Sequence, residues 1–330
     1  MTAKNLLILG IAFLFPSALC AKTIPYPGSA ATLDAAVQSA SAGDTVLVAP
    51  GVYSESLHMK SGVVLRSIAG RDSTTIMSPA GGLEPLTERL IECIGVDSTT
   101  VIEGFTLDHG KSQGAGIYCE QNSKPAIRRN LIRGFGWGIH LKHSPAELTD
   151  NIVEGCLTFA VLILGCSPTL HKNEIRNNSS MAVEIAGNHA QPEIGGSLEN
   201  ANKFYGNSGA IRVSGRKDVM ANWNDWGWET TEEMNKKGYP ADIIAIVDGN
   251  DFGKSHRGRG KLDYRNWITA PPAPKHAATA AQPTGRDSTA SVAVSKDREK
   301  KTFLPLGLSG VVVIIIIAMA RRRRRANAQS

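Results

Sequence analysis

A 22-residue repeat in the middle of the sequence constrains the fold more than any other feature. Short triplets with apolar first and last residues recur at this interval, at residues 117–119, 139–141, 161–163 and 183–185. Related triplets occur 26 residues before the first of these and 28 residues after the last, at 91–93 and 211–213. A second apolar element lies inside each period, at residues 127–132, 148–153 and 170–175. A repeat of this length predicts a solenoid.

The apolar residues of each triplet are two positions apart, which is typical of a strand with one inward face. These strands are too short for long hairpins, and Gly, Pro, Asn and Ser separate them. They can pair with their equivalents one period away, about 4.8 Å along an axis. Each turn then stacks on the last, as in other repeat proteins. The repeat therefore predicts an all-β, single-stranded parallel β-helix.

Asparagine occupies one fixed position in the second element of each turn. Asn130, Asn151 and Asn173 fall at the same corner of successive turns. An amide side chain there can bond to its equivalents above and below while tolerating a tight backbone. The spacing predicts a structural asparagine ladder.

The open ends of a solenoid need a cover, because their unpaired strand edges would otherwise aggregate. The sequence suits such a cover at both ends. Leu33, Ala36, Val37 and Ala40 follow helical spacing and predict a short N-terminal capping helix. At the other end, residues 222–228 contain three tryptophans, which either plug the last turn or offer a platform for sugar rings. We expect the β-helix domain to cover residues 22–269.

The first 21 residues read as a secretory signal peptide. Lys4 supplies the positive charge, residues 6–15 are apolar, and small residues follow. Cys20 leaves lipoprotein processing as an alternative. We expect the domain to be exported.

The C-terminal segment is expected to anchor the domain. Residues 270–302 are rich in Ala, Pro, Thr and Ser and predict a flexible linker. Residues 303–320 are uncharged and long enough to predict a transmembrane helix, and Arg321 to Arg325 follow at once in a basic tail, residues 321–330. The positive-inside rule places this tail in the cytoplasm and the domain outside, at the cell surface or envelope. Removal of the tail by a sorting enzyme remains an alternative.

The basic composition of the whole chain does not describe its folded part. The formal net charge is +6, but the five tail arginines, Lys4 and the linker carry the excess. The remaining residues sum to −3. Without a positive surface a nucleic-acid partner loses its main electrostatic support, and we expect none.

Several segments resemble the pectate-lyase-like β-helix superfamily. Residues 43–53 resemble its opening strand and Pro-Gly turn, residues 104–107 resemble a rung, and residues 222–228 and 262–267 resemble the end of bacterial surface members. The resemblance covers roughly residues 30 to 268 and implies a right-handed parallel β-helix in an exported protein. The superfamily contains lyases, hydrolases, epimerases and adhesins, so the resemblance specifies fold and export more than chemistry. In its enzymes the polysaccharide lies along an outward column of the first strand.

Aligning the repeat in register predicts which side chains form that column here. Its middle positions are Glu92, Tyr118, His140, Leu162, Glu184 and Arg212. Two charged residues, Glu120 and Lys142, directly follow two of the triplets and point the same way. Together with four of the middle positions they form the predicted ligand-binding set: Tyr118, Glu120, His140, Lys142, Glu184 and Arg212. The ligand class that the resemblance implies is extracellular polysaccharide or another envelope component.

Catalysis at this column is an open alternative. His140 could serve as a base, Lys142 could neutralise a uronate, and Glu120 could bind a metal ion. Against this, Leu162 and Leu164 replace polar groups in the next turn, and no motif of a known catalytic family matches. No cofactor or metal site is predicted, and calcium enters only if the protein is a lyase.

Four cysteines follow the signal peptide, and two disulfides are possible in an exported protein. Cys93 and Cys119 occupy equivalent inward positions and are most simply core residues. Cys156 and Cys166 lie just beyond strands of neighbouring turns, where a bond is possible. The Gly-rich loop 108–116, which includes His109, is either a ligand contact or a tolerated insertion.

Three functions are consistent with these features. The first is a surface-displayed β-helix that binds polysaccharide or an envelope component without turnover. The second is a lyase or hydrolase acting on uronate-containing glycans. The third is a structural or adhesive surface protein without a small ligand.

Overall fold

The computed structural model describes residues 21–79, 88–110, 113–251 and 257–269. Within these residues the strands of successive turns pair in parallel and form three sheets, here called sheets A, B and C. The predicted parallel β-helix is therefore confirmed. The other residues, including most of the predicted signal peptide and all of the predicted linker, transmembrane helix and tail, lie outside the described part.

Seven successive turns contribute one strand to each sheet, and the two ends of the solenoid add further strands to sheets A and C. Sheet A contains Thr23–Tyr26, Thr45–Val48, Val64–Ser67, Val101–Glu103, Ala126–Arg128, Glu147–Thr149, Thr169–His171, Glu193–Ile194, Val219–Met220 and Leu262–Asp263. Sheet B contains Gly51–Ser54, Thr74–Met77, Thr106–Asp108, Leu131–Arg133, Ile152–Glu154, Glu174–Arg176 and Lys203–Tyr205. Sheet C contains Leu57–His58, Arg89–Ile94, Ala115–Glu120, Trp137–Lys142, Phe159–Leu164, Met181–Ala186, Gly209–Val213 and Ile246–Val247.

The repeated triplets of the sequence form sheet C. Ile117 pairs with Ile139, Ile139 with Val161, and Val161 with Val183. These side chains point inward and are at most 1% exposed. The second apolar element of each turn splits between sheets A and B, and Ile127 and Ile132 show the same inward burial. Stacked Ile, Leu and Val thus form one continuous core along the axis.

An asparagine ladder turns the chain from sheet A to sheet B. Asn151 Oδ1 accepts hydrogen bonds from the backbone N–H (3.1 Å) and the amide (3.2 Å) of Asn130, and Asn173 does the same for Asn151. The ladder continues through Asn202 to Asn224. Each amide also donates to a backbone carbonyl, so these buried groups are satisfied within the turn they close.

A second, shorter ladder at the corner between sheets B and C was not predicted. Asn178 donates its backbone N–H (3.1 Å) and its amide (2.8 Å) to Asn207 Oδ1, and it accepts the backbone N–H of Cys156 at 2.9 Å. It escaped the sequence analysis because only two turns carry it.

The predicted capping helix is present at Leu33–Ser39. Thr32 caps it by accepting the backbone N–H of Ala35 at 3.0 Å. Leu33, Ala36 and Val37 are fully buried over the open end of the first turn. The prediction of an N-terminal cover is confirmed.

The C-terminal end contains a second helix, Gly227–Lys237, which the sequence analysis did not predict. It buries only Thr231 and Met234, so its sequence lacks a strong apolar period. Of the three tryptophans, Trp226 is buried and stacks on Phe204 with ring centroids 5.2 Å apart, as a plug would. The other two, Trp223 and Trp228, are exposed.

Two further sequence expectations concern membrane spans and disulfides. No helix in the described ranges is long and apolar enough to cross a membrane, and the predicted span at residues 303–320 lies outside those ranges. Cys93, Cys119, Cys156 and Cys166 are all buried free thiols. The core interpretation of Cys93 and Cys119 agrees with this, and the bond considered between Cys156 and Cys166 is not formed.

Candidate functional site

The predicted column forms one line on the outer face of sheet C. Parallel pairing joins its members turn by turn, in the order Glu92, Tyr118, His140, Leu162, Glu184 and Arg212. Because the residues on either side of each member point into the core, these six side chains point away from it.

A second outward column lies beside the first and was missed by the sequence analysis. It consists of Arg89, Ala115, Trp137, Phe159, Met181 and Gly209. Each of these residues lies two positions before an apolar triplet. In several turns the residue between it and the triplet is small and points into the core. A Cβ added to Gly138 would lie 2.6 Å from Val153 Cγ1, so this position admits only glycine, and Trp137 before it faces outward.

The two columns bury apolar side chains outside the solenoid core. Tyr118, Trp137, Phe159, Leu162 and Met181 are each at most 8% exposed, yet none belongs to the core cluster. The repeat placed the first column on the outer face but did not predict this burial. The outer face of sheet C is therefore a second packed layer with polar groups at its edges.

Tyr118, Glu120 and Lys142 form one connected cluster at the N-terminal part of this face. Tyr118 donates its hydroxyl to Glu120 Oε2 at 2.7 Å, and Lys142 forms an ion pair with Glu120 Oε1. Burial alone would raise the pKa of Glu120, but the hydrogen bonds from Lys142 and Tyr118 outweigh it and lower the pKa. Arg89 lies over the Tyr118 ring, 3.6 Å from its centroid, and pairs with Glu92 at 2.7 Å.

His140 packs between two aromatic rings of the same face. Its ring meets Tyr118 edge-on at 5.0 Å between centroids, and it lies 5.8 Å from the Trp137 ring. Burial, reinforced by the positive charges of Arg89 and Lys142, lowers the pKa of His140 to about 4. The imidazole is therefore neutral at pH 7.

Two ring nitrogens at this place have no hydrogen-bond partner among the described residues. They are His140 Nε2 and Trp137 Nε1, and both atoms are buried. Buried polar atoms are nearly always bonded, and each exception needs an explanation such as water or a ligand.

Glu184 and Arg212 form a separate cluster two turns further on. Glu184 Oε1 accepts the Ser214 hydroxyl at 2.6 Å, and Oε2 lies 3.3 Å from Arg212 Nη1 without the geometry of a hydrogen bond. Burial raises the pKa of Glu184, although Ser214, Arg212 and Arg259 partly oppose this. The positive charge of Arg259, which the sequence analysis missed, is among those that oppose this shift, and its buried Nη1 is also unpartnered within the described ranges.

The predicted site residues thus fall into two polar clusters rather than one. Tyr118, Glu120, His140 and Lys142 are together, whereas Glu184 and Arg212 lie about 10 Å away along the axis, at about 4.8 Å per turn. Leu162 and Leu164 occupy the turn between them, as their positions in the repeat predicted.

The corner between sheets B and C contains an open cavity of about 510 Å³. It is lined by Asp108, Gly110, Arg133, Gly134, Glu154, Gly155 and Asn177. Arg133 pairs with Asp108 at 2.8 Å, and Glu154 pairs with Arg176 at 2.8 Å. These charged side chains already have protein partners. The surface left free for a ligand is therefore formed mainly by the backbone of the lining glycines.

The loop after Asp108 packs onto the solenoid. His109 stacks on the buried Phe135 ring at 5.2 Å between centroids, and its Nε2 lies 3.0 Å from Glu88 Oε2. The His109 side chain is only 6% exposed. This contact favours the insertion over the ligand contact for this histidine.

Within the described ranges, no three His, Cys, Asp or Glu side chains converge as a possible metal site.

Among known proteins, residues 92–224 match the family model described as the right handed beta helix region. No curated protein matches the chain. The match spans the turns that carry most of both columns.

Proposed function

We propose that this chain, which folds as a parallel β-helix and whose residues 92–224 match the right handed beta helix region, binds extracellular polysaccharide along the outer face of sheet C without turning it over. In this proposal the protein is exported, residues 303–320 hold it in the membrane, and the solenoid is displayed outside. The observation that carries the proposal is the pair of unpartnered ring nitrogens of Trp137 and His140.

A sugar hydroxyl suits these two nitrogens. Trp137 Nε1 can only donate a hydrogen bond, whereas Nε2 of a neutral histidine can accept one. A hydroxyl group accepts and donates at once, so one hydroxyl can serve both atoms. Apolar ligands would leave both nitrogens unsatisfied.

The surroundings of the pair also suit a carbohydrate. Tyr118, Trp137 and Phe159 are each at most 8% exposed, so polar atoms rather than stacked rings carry the proposed contact. Partly exposed polar groups at the edge, including Glu92, Glu120 and Lys142, can bond to further hydroxyls. Six paired turns extend the face over about 24 Å at about 4.8 Å per turn, which fits a chain of sugars better than a single one.

The charges on this face favour binding over catalysis. With a pKa of about 4, His140 is a weak base near neutral pH. Lys142 and Tyr118 both engage Glu120, so neither the carboxylate nor the ammonium is free to transfer a proton.

The proposal is tested with the full chain in mild detergent and a panel of neutral, acetylated and uronate-containing oligosaccharides. Titration calorimetry measures binding, and absorbance of unsaturated ends together with reducing-end analysis measures turnover. We expect saturable binding of at least one glycan without product. Failure of every glycan to bind would refute a carbohydrate-binding role, and product formation abolished by His140→Ala would establish the lyase or hydrolase instead.

A further inference from the structure

Three arginines on the outer face of sheet A surround one carboxylate. Strand pairing places Arg66 beside Glu103 and Glu103 beside Arg128, so these side chains follow one another along the axis. Arg129 comes next to Arg128 in the chain. Arg66, Arg128 and Arg129, here called the arginine cluster, all form ion pairs with Glu103, at N···O distances of 3.0, 3.1 and 2.7 Å.

The positive charge of the arginine cluster exceeds the negative charge of its partner. Every other carboxylate that forms an ion pair within the described ranges has a single basic partner, whereas Glu103 has three. The acidic residues of the adjacent turns, Asp72, Glu147 and Asp150, form no ion pair with the cluster in this part of the chain. Three guanidinium groups and one carboxylate leave an excess of two positive charges.

The guanidinium groups are open to solvent, although the carboxylate between them is not. The side chains of Arg66, Arg128 and Arg129 are 43%, 39% and 66% exposed, whereas that of Glu103 is 8% exposed. Glu103 accepts four hydrogen bonds from the cluster, and each guanidinium has five N–H donors. Most of these N–H groups therefore remain available to a ligand that approaches from solvent.

A fourth guanidinium lies at the same corner of the solenoid. Arg71 Nη1 lies 3.2 Å from the carbonyl oxygen of Asp150 and 3.5 Å from that of Asn130, the residue after Arg129. Its hydrogen bonds there are to backbone carbonyls, which leave its charge unneutralised. The Arg71 charge therefore adds to the attraction of this surface for an anion.

The charge and the donors of the cluster specify the kind of ligand. A cation would be repelled, and a neutral hydroxyl would leave the excess charge unbalanced. The planar fork of arginine binds two oxygens of a carboxylate or a phosphate at once. A carboxylate or a sulfate ester carries one negative charge and cancels half of the excess, whereas a phosphate dianion, the main form at pH 8, cancels it.

We infer that Arg66, Arg128 and Arg129 form a binding site for a phosphate dianion, either free phosphate or the phosphate monoester of a larger molecule. The site lies on sheet A, whereas the proposed glycan-binding face belongs to sheet C. Phosphate binding is therefore independent of the proposed function, and either can fail without the other.

Titration calorimetry of the full chain in mild detergent at pH 8, with sodium chloride holding the ionic strength constant, tests this site. Inorganic phosphate and glucose 6-phosphate are the free and the esterified dianion, and glucose 6-sulfate is the matched ester with one charge fewer. We expect saturable binding of inorganic phosphate. Glucose 6-sulfate should bind at least about tenfold more weakly than the phosphates, since hydrogen bonds between charged groups are worth this much.

Three variants separate the cluster from the rest of the surface. Arg129→Met keeps an aliphatic stem and removes one guanidinium, so phosphate affinity should fall at least about tenfold. Arg133→Met is the matched control and should leave the affinity unchanged, because Arg133 is 46% exposed and has its own partner, Asp108, at 2.8 Å. Glu103→Gln removes the opposing charge, so phosphate should bind more tightly and raise the melting temperature of this variant more than that of the wild type.

The outcomes decide between these statements. Absence of binding by both phosphates, or equal phosphate affinity of the wild type and Arg129→Met, overturns the site even if Glu103→Gln does not fold. Equal affinity for glucose 6-sulfate and glucose 6-phosphate overturns the selection of a dianion. Binding of both phosphates supports a monoester site, and binding of inorganic phosphate alone supports a site for free phosphate.

Discussion

Trp137 and His140 lie three residues apart on one strand, with ring centroids 5.8 Å apart, and each carries a buried ring nitrogen without a partner in the described ranges. Both rings belong to an outer layer of sheet C, not to the solenoid core. A protein that needed only stability would fill these positions with apolar residues, because an unsatisfied buried donor is costly.

Trp137→Phe therefore separates binding from stability. Phenylalanine keeps an aromatic ring but removes the unpartnered N–H, so we expect the melting temperature to change little or to rise. Glycan affinity should fall about five- to tenfold, as expected for the loss of one hydrogen bond worth about 1 to 1.4 kcal/mol. Calorimetric titration and thermal unfolding of the same preparations check both effects. Unchanged affinity would show that Trp137 Nε1 does not contact the ligand.

His140 should make the stability of the protein depend on pH. Its pKa in the folded state is about 4, against an ordinary value of 6.5. The unfolded chain therefore binds the proton first, and stability is full above about pH 6.5 and falls as the pH drops toward 4. The loss from this residue is up to about 3 kcal/mol. Urea unfolding between pH 4 and 8 measures it: the free energy of unfolding of the wild type, relative to that of His140→Phe, should fall by up to about 3 kcal/mol as the pH drops. A constant difference would contradict this assignment.

Asn151→Ala should destabilise the solenoid strongly. The substitution removes the hydrogen bonds that Asn151 makes to Asn130, Asn173 and the Ile127 carbonyl, and it leaves buried groups of both neighbouring turns unpaired. We expect a loss of about 3 kcal/mol or more in the free energy of unfolding. Asn188→Ala, in an exposed turn, is the matched control and should change stability by less than about 0.5 kcal/mol.

Glu103→Gln should also be destabilising. Glu103 is buried on the outer side of sheet A and pairs with Arg66, Arg128 and Arg129 at 2.7 to 3.1 Å. Burial would raise its pKa, but the neighbouring arginines, Arg128 first, lower it. Neutralising the carboxylate leaves three guanidinium groups without their shared partner, so we expect a loss of about 2 kcal/mol at pH 7. The wild-type contribution should vanish as the pH falls below the folded-state pKa of the carboxyl. Glu147→Gln, on the exposed surface of the same sheet, should be neutral in the same unfolding assay.

The four described cysteines should react only after unfolding. All are buried, and burial raises the pKa of Cys156 to about 12 and also raises that of Cys166. Contact with Cys93 and burial raise the pKa of Cys119. At pH 8 a thiol reagent should therefore label the native protein slowly and the denatured protein rapidly. Fast labelling of the native protein would show that the core opens at these turns.

The sequence by itself determined the solenoid. Apolar residues at fixed intervals of 22 can be buried together only if the turns stack, so the pairing of Ile117 with Ile139 and Val161 follows from spacing alone. The asparagine corner followed for the same reason, since Asn130, Asn151 and Asn173 keep one position in the period. The Gly227–Lys237 helix did not follow, because it is stabilised by local charge pairs and buries only two side chains.

The tertiary structure alone decided what the outer face of sheet C can do. The repeat placed Tyr118, His140 and Glu184 on that face, but it could not reveal that they are packed rather than solvated. That packing depends on Trp137 and Phe159, which lie outside the triplets. The charge that acts on Glu184 from Arg259 comes from about 75 residues away in the sequence. Burial and hydrogen-bond satisfaction are properties of the whole fold, because each depends on atoms brought together from separate turns.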